Sequence, residues 1–194
     1  MNRDDQALLD AFAKGDEAAF VILVQRHGRT LKGYALRILR NPQSAEEVTV
    51  ESFERLASLA GKKSTRSNVR GLVFTIAHNL CMDRKRKNQR TYVNHEQWRT
   101  REQARRLEPS PEARVLLGEL ARNLEDALQT LPDEHRQVVI LRLVQGHSSK
   151  ETALILGIDE RQVSSRLAYG RFLLKQRLDN YTPAEERAVG GIRA

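Results

Sequence analysis

At 194 residues the chain has room for one domain or two small ones, and 33 Lys and Arg against 25 Asp and Glu leave a formal charge of +8. That excess favours polyanion partners, nucleic acid ahead of anionic membrane, while the single cysteine, Cys81, excludes an internal disulfide and a cysteine-rich zinc site. The opening MNRDDQALLD lacks the apolar core of a signal peptide, and no apolar run approaches the roughly 20 residues of a membrane helix, so the cytosol is the expected compartment.

Apolar residues recur at helical spacing along the chain, and no stretch alternates as a strand does, so the expected fold class is all-α. Leu8, Leu9, Phe12 and Ala13 mark a short first helix, punctuated by Gly15 and Asp16. Phe20, Leu23, Val24, Leu31, Tyr34, Ala35 and Ile38 trace one face of a long second helix. Asn41-Pro42 stops it and supplies a cap and a first-turn proline for a third, which runs to about Ala60. After a polar loop, Gly61 to Ser67, a fourth helix carries Val69, Leu72, Val73, Ile76, Ala77 and Leu80 as its apolar stripe, which puts Phe74, His78 and Met82 on the opposite side. From Asn88 to Pro111 the pattern dissolves into a polar stretch with the lone Trp98. Helical spacing resumes with Leu117, Leu120, Leu124, Ala127, Leu128 and Leu131, breaks at Pro132, and continues in three helices near Asp133–Gln145, Ser148–Leu156 and Glu160–Leu178. The economical organisation is two small helical domains, 1–90 and 112–179, joined by a flexible linker over 91–111 and followed by a tail over 180–194.

The segment Ser148 to Val163 meets the physical requirements of a helix-turn-helix. Ala153 is small where two helices must cross, Gly157 four residues later permits the positive φ that ends the first helix, and Ile158 and Val163 supply the apolar wedge. Ser148 with Glu151 spells a capping box, and Asp159 can cap the second helix. In such motifs the start of the second helix meets base edges in the major groove, here Arg161, Gln162, Ser164, Ser165 and Arg166, while Arg171 and Lys175 further along suit phosphates. The competing reading of the same residues is a helical hairpin with a solvated polar face.

On the run Leu131 to Arg142 ahead of the helix-turn-helix, together with Gly15 to Phe20, Ala45 to Val48 and Phe74 to Asn79, the chain resembles the extracytoplasmic-function (ECF) sigma factors of bacterial RNA polymerase. Leu131-Pro132-Asp133-Glu134-His135-Arg136-Gln137-Val138-Val139-Ile140-Leu141-Arg142, then Gly146 and the helix-turn-helix, is similar to sigma region 4, which implies recognition of a −35 element. Gly15-Asp16-Glu17-Ala18-Ala19-Phe20 and Ala45-Glu46-Glu47-Val48, with Glu51 and Phe53, resemble parts of region 2, the second of which implies binding to the β′ clamp of core polymerase. Glu47, Glu51 and Glu54 fall at helical spacing with Glu46 beside them, so four carboxylates are expected on one side to meet a basic partner helix; acids near a helix start are favoured for the helix dipole alone. Phe74-Thr75-Ile76-Ala77-His78-Asn79 resembles the helix that reads and opens the −10 element, and the resemblance implies base capture by the loop before it. The expected −10 set is thus Lys62, Lys63, Arg66, Asn68, Phe74, His78 and Asn79, with phosphates held by the run Arg84, Lys85, Arg86 and Lys87.

Departures from the family pattern include Ser44 for a common acid, Val50 for a glutamine, Leu72 for a tryptophan, and Ser164 for a basic residue. Phosphorylation of Ser44, Thr49 or Ser52 would restore negative charge on the acidic side. The partners implied are core polymerase, through its β′ clamp and β flap, promoter DNA, and an anti-sigma protein. No cofactor is implied, and the five histidines (His27, His78, His95, His135, His147) show no metal-binding spacing. Two other functions fit less of the chain: a helix-turn-helix activator or repressor that binds duplex unaided, and a recombinase-type enzyme.

Overall fold

The computed structural model describes residues 4–62, 68–91 and 122–179. Every regular element among them is a helix: α1 (Asp5–Ala13), α2 (Glu17–Leu39), α3 (Pro42–Ser58), α4 (Val69–Thr91), α5 (122–130), α6 (Asp133–Val139), a π-helical turn (Ile140–Val144), α7 (Ser149–Leu156) and α8 (Glu160–Asp179). None of these helices is long and apolar enough to cross a membrane. Lys63, Arg66, Leu117, Leu120, Trp98 with most of the linker, and the tail from residue 180 lie outside the described residues. The described residues form two compact units, one from α1–α4 with 140–163, the other from 122–139 with 164–179.

Local chemistry sets the boundaries in the first unit. Asp16 accepts from the Ala19 amide at 3.2 Å to start α2, and Arg40, at φ 55°, ends it in the left-handed region. Asn41 then caps α3 through the Ser44 amide at 2.8 Å, with Pro42 in the first turn, where its missing N–H is no loss. α1 is fastened to α2 by Asp5, whose carboxylate accepts from Arg26 and, at 2.6 Å, from His27 Nε2. The core between α1, α2, α3 and α4 is made of Leu8, Leu9, Leu23, Leu31, Tyr34, Val48, Leu56, Val73 and Ala77. Each large apolar side chain buried there contributes about 1.5–3 kcal/mol.

Two expectations about this unit are corrected. α4 does not have a single buried stripe, because Phe74 is 0% and His78 7% exposed. Tyr34 of α2 and the segment 145–151 cover the side that the wheel of α4 alone leaves to solvent. Nor are Thr49 and Ser52 surface hydroxyls: both are buried and donate to the carbonyls of Ala45 and Val48 at 2.7 and 2.6 Å, so a kinase has no access to them in the folded chain.

In the second unit Arg136, buried at the start of α6, donates to the Leu131 carbonyl at 3.1 Å and to Asp133, tying the end of α5 to α6. Gly170 lies where α8 crosses α6: a Cβ there would stand 2.7 Å from Val139 Cγ2. The same crossing sets the His135 ring 4.9 Å from that of Tyr169 and pairs Glu134 with Arg166 at 3.0 Å.

Candidate DNA and polymerase interface

The helix-turn-helix forms as its residues dictate. Ser148 Oγ accepts from the Glu151 amide at 3.1 Å while Glu151 accepts from the Ser148 amide at 2.7 Å, closing the capping box of α7. These bonds, the Ser148 amide foremost, hold the Glu151 carboxyl down at about 2. Gly157 ends α7 at φ 66°, and the Ile158 amide returns to the Ala153 carbonyl at 3.1 Å. α8 opens on a second reciprocal pair: the Gln162 amide donates to Asp159 at 2.7 Å, and the Asp159 amide to Gln162 Oε1 at 3.2 Å. Val163 is buried as the wedge, while Arg161, Gln162, Ser164, Ser165, Arg171 and Lys175 are exposed along α8. Arg166 differs: it is half-buried, held by Glu134.

The carboxylates of α3 do not present one uniform face. Glu46 turns to Lys32 of α2, whereas Glu47 and Glu51 converge on Arg84 of α4 at 3.5 and 3.2 Å. Arg84 also donates to the Ser44 carbonyl at 3.0 Å, and Glu51 takes a further cation from Arg55 at 2.7 Å. Glu54 stays exposed. Arg84 therefore stands apart from its neighbours in the basic run: it bridges α3 to α4, while Arg86 and Lys87 are exposed and Arg86 pairs locally with Asp83 at 3.2 Å.

Along α4 the expected −10 residues divide. Lys62, Asn68 and Asn79 are exposed. His78 lies in the core, hydrogen-bonded through Nδ1 to the Tyr34 hydroxyl at 2.9 Å, and burial lowers its pKa to about 4, so the ring is neutral. Phe74 sits edge-on to Tyr34, with ring centroids 5.6 Å apart, and edge-on to His147, at 4.6 Å. Arg70 lies over the Phe74 ring and donates to the Gln145 carbonyl; Asn68 Nδ2 donates to Glu151 Oε1 at 2.5 Å. Arg70 carries no motif, Gln145 stood only at an expected helix end, and His147 only among five histidines without metal-binding spacing; an arginine one turn before an aromatic was the available signal. Cys81, on α4 itself, is buried, and burial pushes its thiol up to about 12, which leaves it a poor nucleophile. Among the described residues no three His, Cys, Asp or Glu side chains gather to hold a metal ion.

Comparison with known proteins matches Sigma-70 region 2 over residues 23–91 and Sigma-70, region 4 over residues 121–171. The ECF RNA polymerase sigma factor SigM of Mycobacterium tuberculosis is 30% identical over 181 residues, 91% of this chain and 85% of the relative. SigL of the same species is 31% identical over 168 residues, 84% of this chain and 90% of the relative. Among solved structures, CnrH in complex with the cytosolic domain of CnrY aligns with a TM-score of 0.66 and 25% identity, covering 92% of this chain and 99% of CnrH. A helix-turn-helix on a basic all-α scaffold, matched through both regions to relatives of this length, makes the chain a member of the ECF sigma factor family, alternative sigma factors that direct RNA polymerase to specific promoters.

Proposed function

We propose that this sigma factor divides its contacts by region. Residues 112–179 read the −35 element through Arg161, Gln162, Ser164 and Ser165, with Arg171 and Lys175 on phosphates. Residues 1–90 bind core polymerase on the α3 side, where Glu54 and the outer oxygens of Glu46, Glu47 and Glu51 meet basic groups of the clamp. The same domain handles the −10 element, with Lys62, Lys63, Arg66, Asn68 and Asn79 around the opening strand, Phe74 as the base-stacking ring, and Lys85, Arg86 and Lys87 on phosphates. His78 and Arg84 support this surface from within, as the Tyr34 and Glu51 bonds indicate. The linker over 91–111 spans the two regions and the tail over 180–194 follows the second.

The observation that carries the reading is the start of α8, closed by Asp159 and Gln162 so that Arg161 and its neighbours project from a fixed end. Nothing in this scheme makes or breaks a covalent bond; binding energy alone recruits polymerase and captures bases, as befits a cytoplasmic regulator and not an enzyme. That CnrH forms a complex with the cytosolic domain of CnrY supports a protein partner for this chain, which we assign as an antagonist of the anti-sigma kind. Transcription in vitro with purified core polymerase over a genomic promoter library tests the proposal. Initiation that starts at a defined promoter set and is lost with Arg161→Ala is expected; no initiation from any promoter overturns it.

A further inference from the structure

We propose that the arginine flank of α2, made by Arg29, Arg37 and Arg40, is a second track for the DNA phosphate backbone that continues the basic run of α4. The proposal rests on the reading of Lys85, Arg86 and Lys87 as phosphate contacts. From Ala18 to Arg40 the chain carries five cations and no acid. Two of the five are taken up inside the bundle, Arg26 by Asp5 of α1 and Lys32 by Glu46 of α3. The other three fall at i, i+8 and i+11, which places them on one flank of the helix over a length of about 16 Å. Arg29 and Arg40 are exposed and Arg37 is half-buried. Arg37 lies back along α2, where its Nη1 donates to the Gly33 carbonyl at 3.3 Å. A Cβ at Gly33 would stand 3.2 Å from that nitrogen, so the glycine leaves the space in which this cation fills the gap between the other two.

Arg40 carries the argument. Among the described residues it is the one non-glycine residue at positive φ, 55° with ψ 24°. Only Arg40 and Asn41 separate Leu39 from Pro42, so the chain must reverse there, and Asn41 is already committed to capping α3. In the left-handed region a Cβ crowds the following carbonyl oxygen, a strain that glycine escapes. A cation does suit the negative end of a helix dipole, but Arg37 in the last turn of α2 already supplies one. The turn therefore holds a strained arginine where glycine would close it freely, and strain of this sort points to a use for the guanidinium. The same turn receives α4: Arg84 donates to the carbonyl of Ser44 at 3.0 Å, which brings the run that continues through Lys85, Arg86 and Lys87 to this end of the bundle. Cations from two helices thus gather at one end, and a row of phosphates is the ligand that engages such a series one charge at a time.

The test uses Arg40→Gly in the full chain, assembled with core polymerase on a promoter that the unchanged chain serves. Glycine relieves the left-handed strain, so Tm of the free chain is expected to hold or to rise by up to about 5 °C. The same change is expected to weaken promoter binding about fivefold at 0.15 M salt and to flatten the slope of log K against log salt by about 0.9, the mark of one lost phosphate contact. Arg40→Lys should keep both values, and binding of either variant to core polymerase without DNA should match that of the unchanged chain. Unchanged promoter affinity and slope overturn the track. So does a lowered Tm, which would make the arginine part of the turn itself, and so does a loss already present in binding to core polymerase, which would make an acidic protein surface the ligand. Lys87→Ala in the same titration reports the α4 run by itself, so failure of the reading beneath the proposal is seen separately. Should Arg40→Gly not fold, Arg29→Gln in the regular part of α2 reads the same slope.

Discussion

Arg84 is the residue on which sequence and structure diverge most usefully, and replacing it with alanine separates a scaffold role from a DNA role. The substitution removes a hydrogen bond to the Ser44 carbonyl at 3.0 Å, one to Glu51 at 3.2 Å, and an ion pair with Glu47 at 3.5 Å. Charge-assisted hydrogen bonds of this kind contribute about 1.5–3 kcal/mol when buried, whereas exposed pairs contribute about 0–1 kcal/mol. The Arg84 side chain is 24% exposed and Glu47 50%, so solvent screens part of the set. Together the bonds are expected to contribute about 1–2 kcal/mol, which in a domain of this size lowers Tm by roughly 5–10 °C. Thermal melts followed by far-UV circular dichroism measure this, paired with a salt titration of DNA binding by the polymerase complex. A bridge between α3 and α4 leaves the slope of log K against log salt unchanged, while a phosphate contact removes about 0.7–0.9 from it. An unchanged Tm together with a flatter slope refutes the bridge. Lys87→Ala should give the reverse signature, weaker binding on all sequences with little change in Tm.

Gly170→Ala forces a methyl into the 2.7 Å gap at Val139 and should destabilise the α6–α8 crossing by about 1–3 kcal/mol, read as a lower urea midpoint; an unchanged midpoint contradicts the close approach. Acid should loosen the first unit, because burial holds both His78 and His147 near 4, below the 6.5 of an unfolded histidine. A base lowered in this way contributes fully above pH 6.5 and loses its contribution as pH falls toward 4, at most about 2 kcal/mol per histidine at pH 5. Arg70, Glu151 and His27 also face His147, and only the glutamate opposes the drop. Tm should therefore fall between pH 7 and pH 5; a flat profile means the rings are not buried neutral. Arg161→Ala should weaken discrimination at one −35 position by about 1–3 kcal/mol in competition binding, whereas an equal loss on all sequences would make Arg161 a phosphate contact.

What was legible in the sequence is what adjacent residues decide among themselves. Ser148 with Glu151, Gly157, and Asn41-Pro42 each close or end a helix through bonds spanning three to five residues, and each does so in the structure. The sigma resemblance, carried by runs such as Leu131 to Arg142, likewise agrees with the matches to both regions. What escaped depends on partners distant in the chain. A helical wheel assigned Phe74 and His78 to the open side of α4 because it contains no information about Tyr34 or His147, which lie 40 and 73 positions from Phe74. Arg84 sits in a run of four cations with nothing local to distinguish it, and only the return of α3 alongside brings Glu47 and Glu51 within reach. Arg166 was assigned to the groove for its position, yet Glu134, 32 residues earlier, holds it to α6.

The reciprocal pair of hydrogen bonds between Asp159 and Gln162 also bears, on the proposed reading of α8, on how promoter preference can change over time. Gln162 both closes the first turn of α8 and points outward, so exchanging it for a cation or an aliphatic group would cost the bond to the Asp159 amide, about 0.5–1.5 kcal/mol, before any new base was gained. Drift at that position is channelled toward glutamate or back to glutamine, the side chains able to keep the reciprocal closure. Among the described residues Arg161 and Ser165 take no part in that closure, so on the proposed reading of α8 they are the positions where a new side chain would change promoter preference without loosening the helix start.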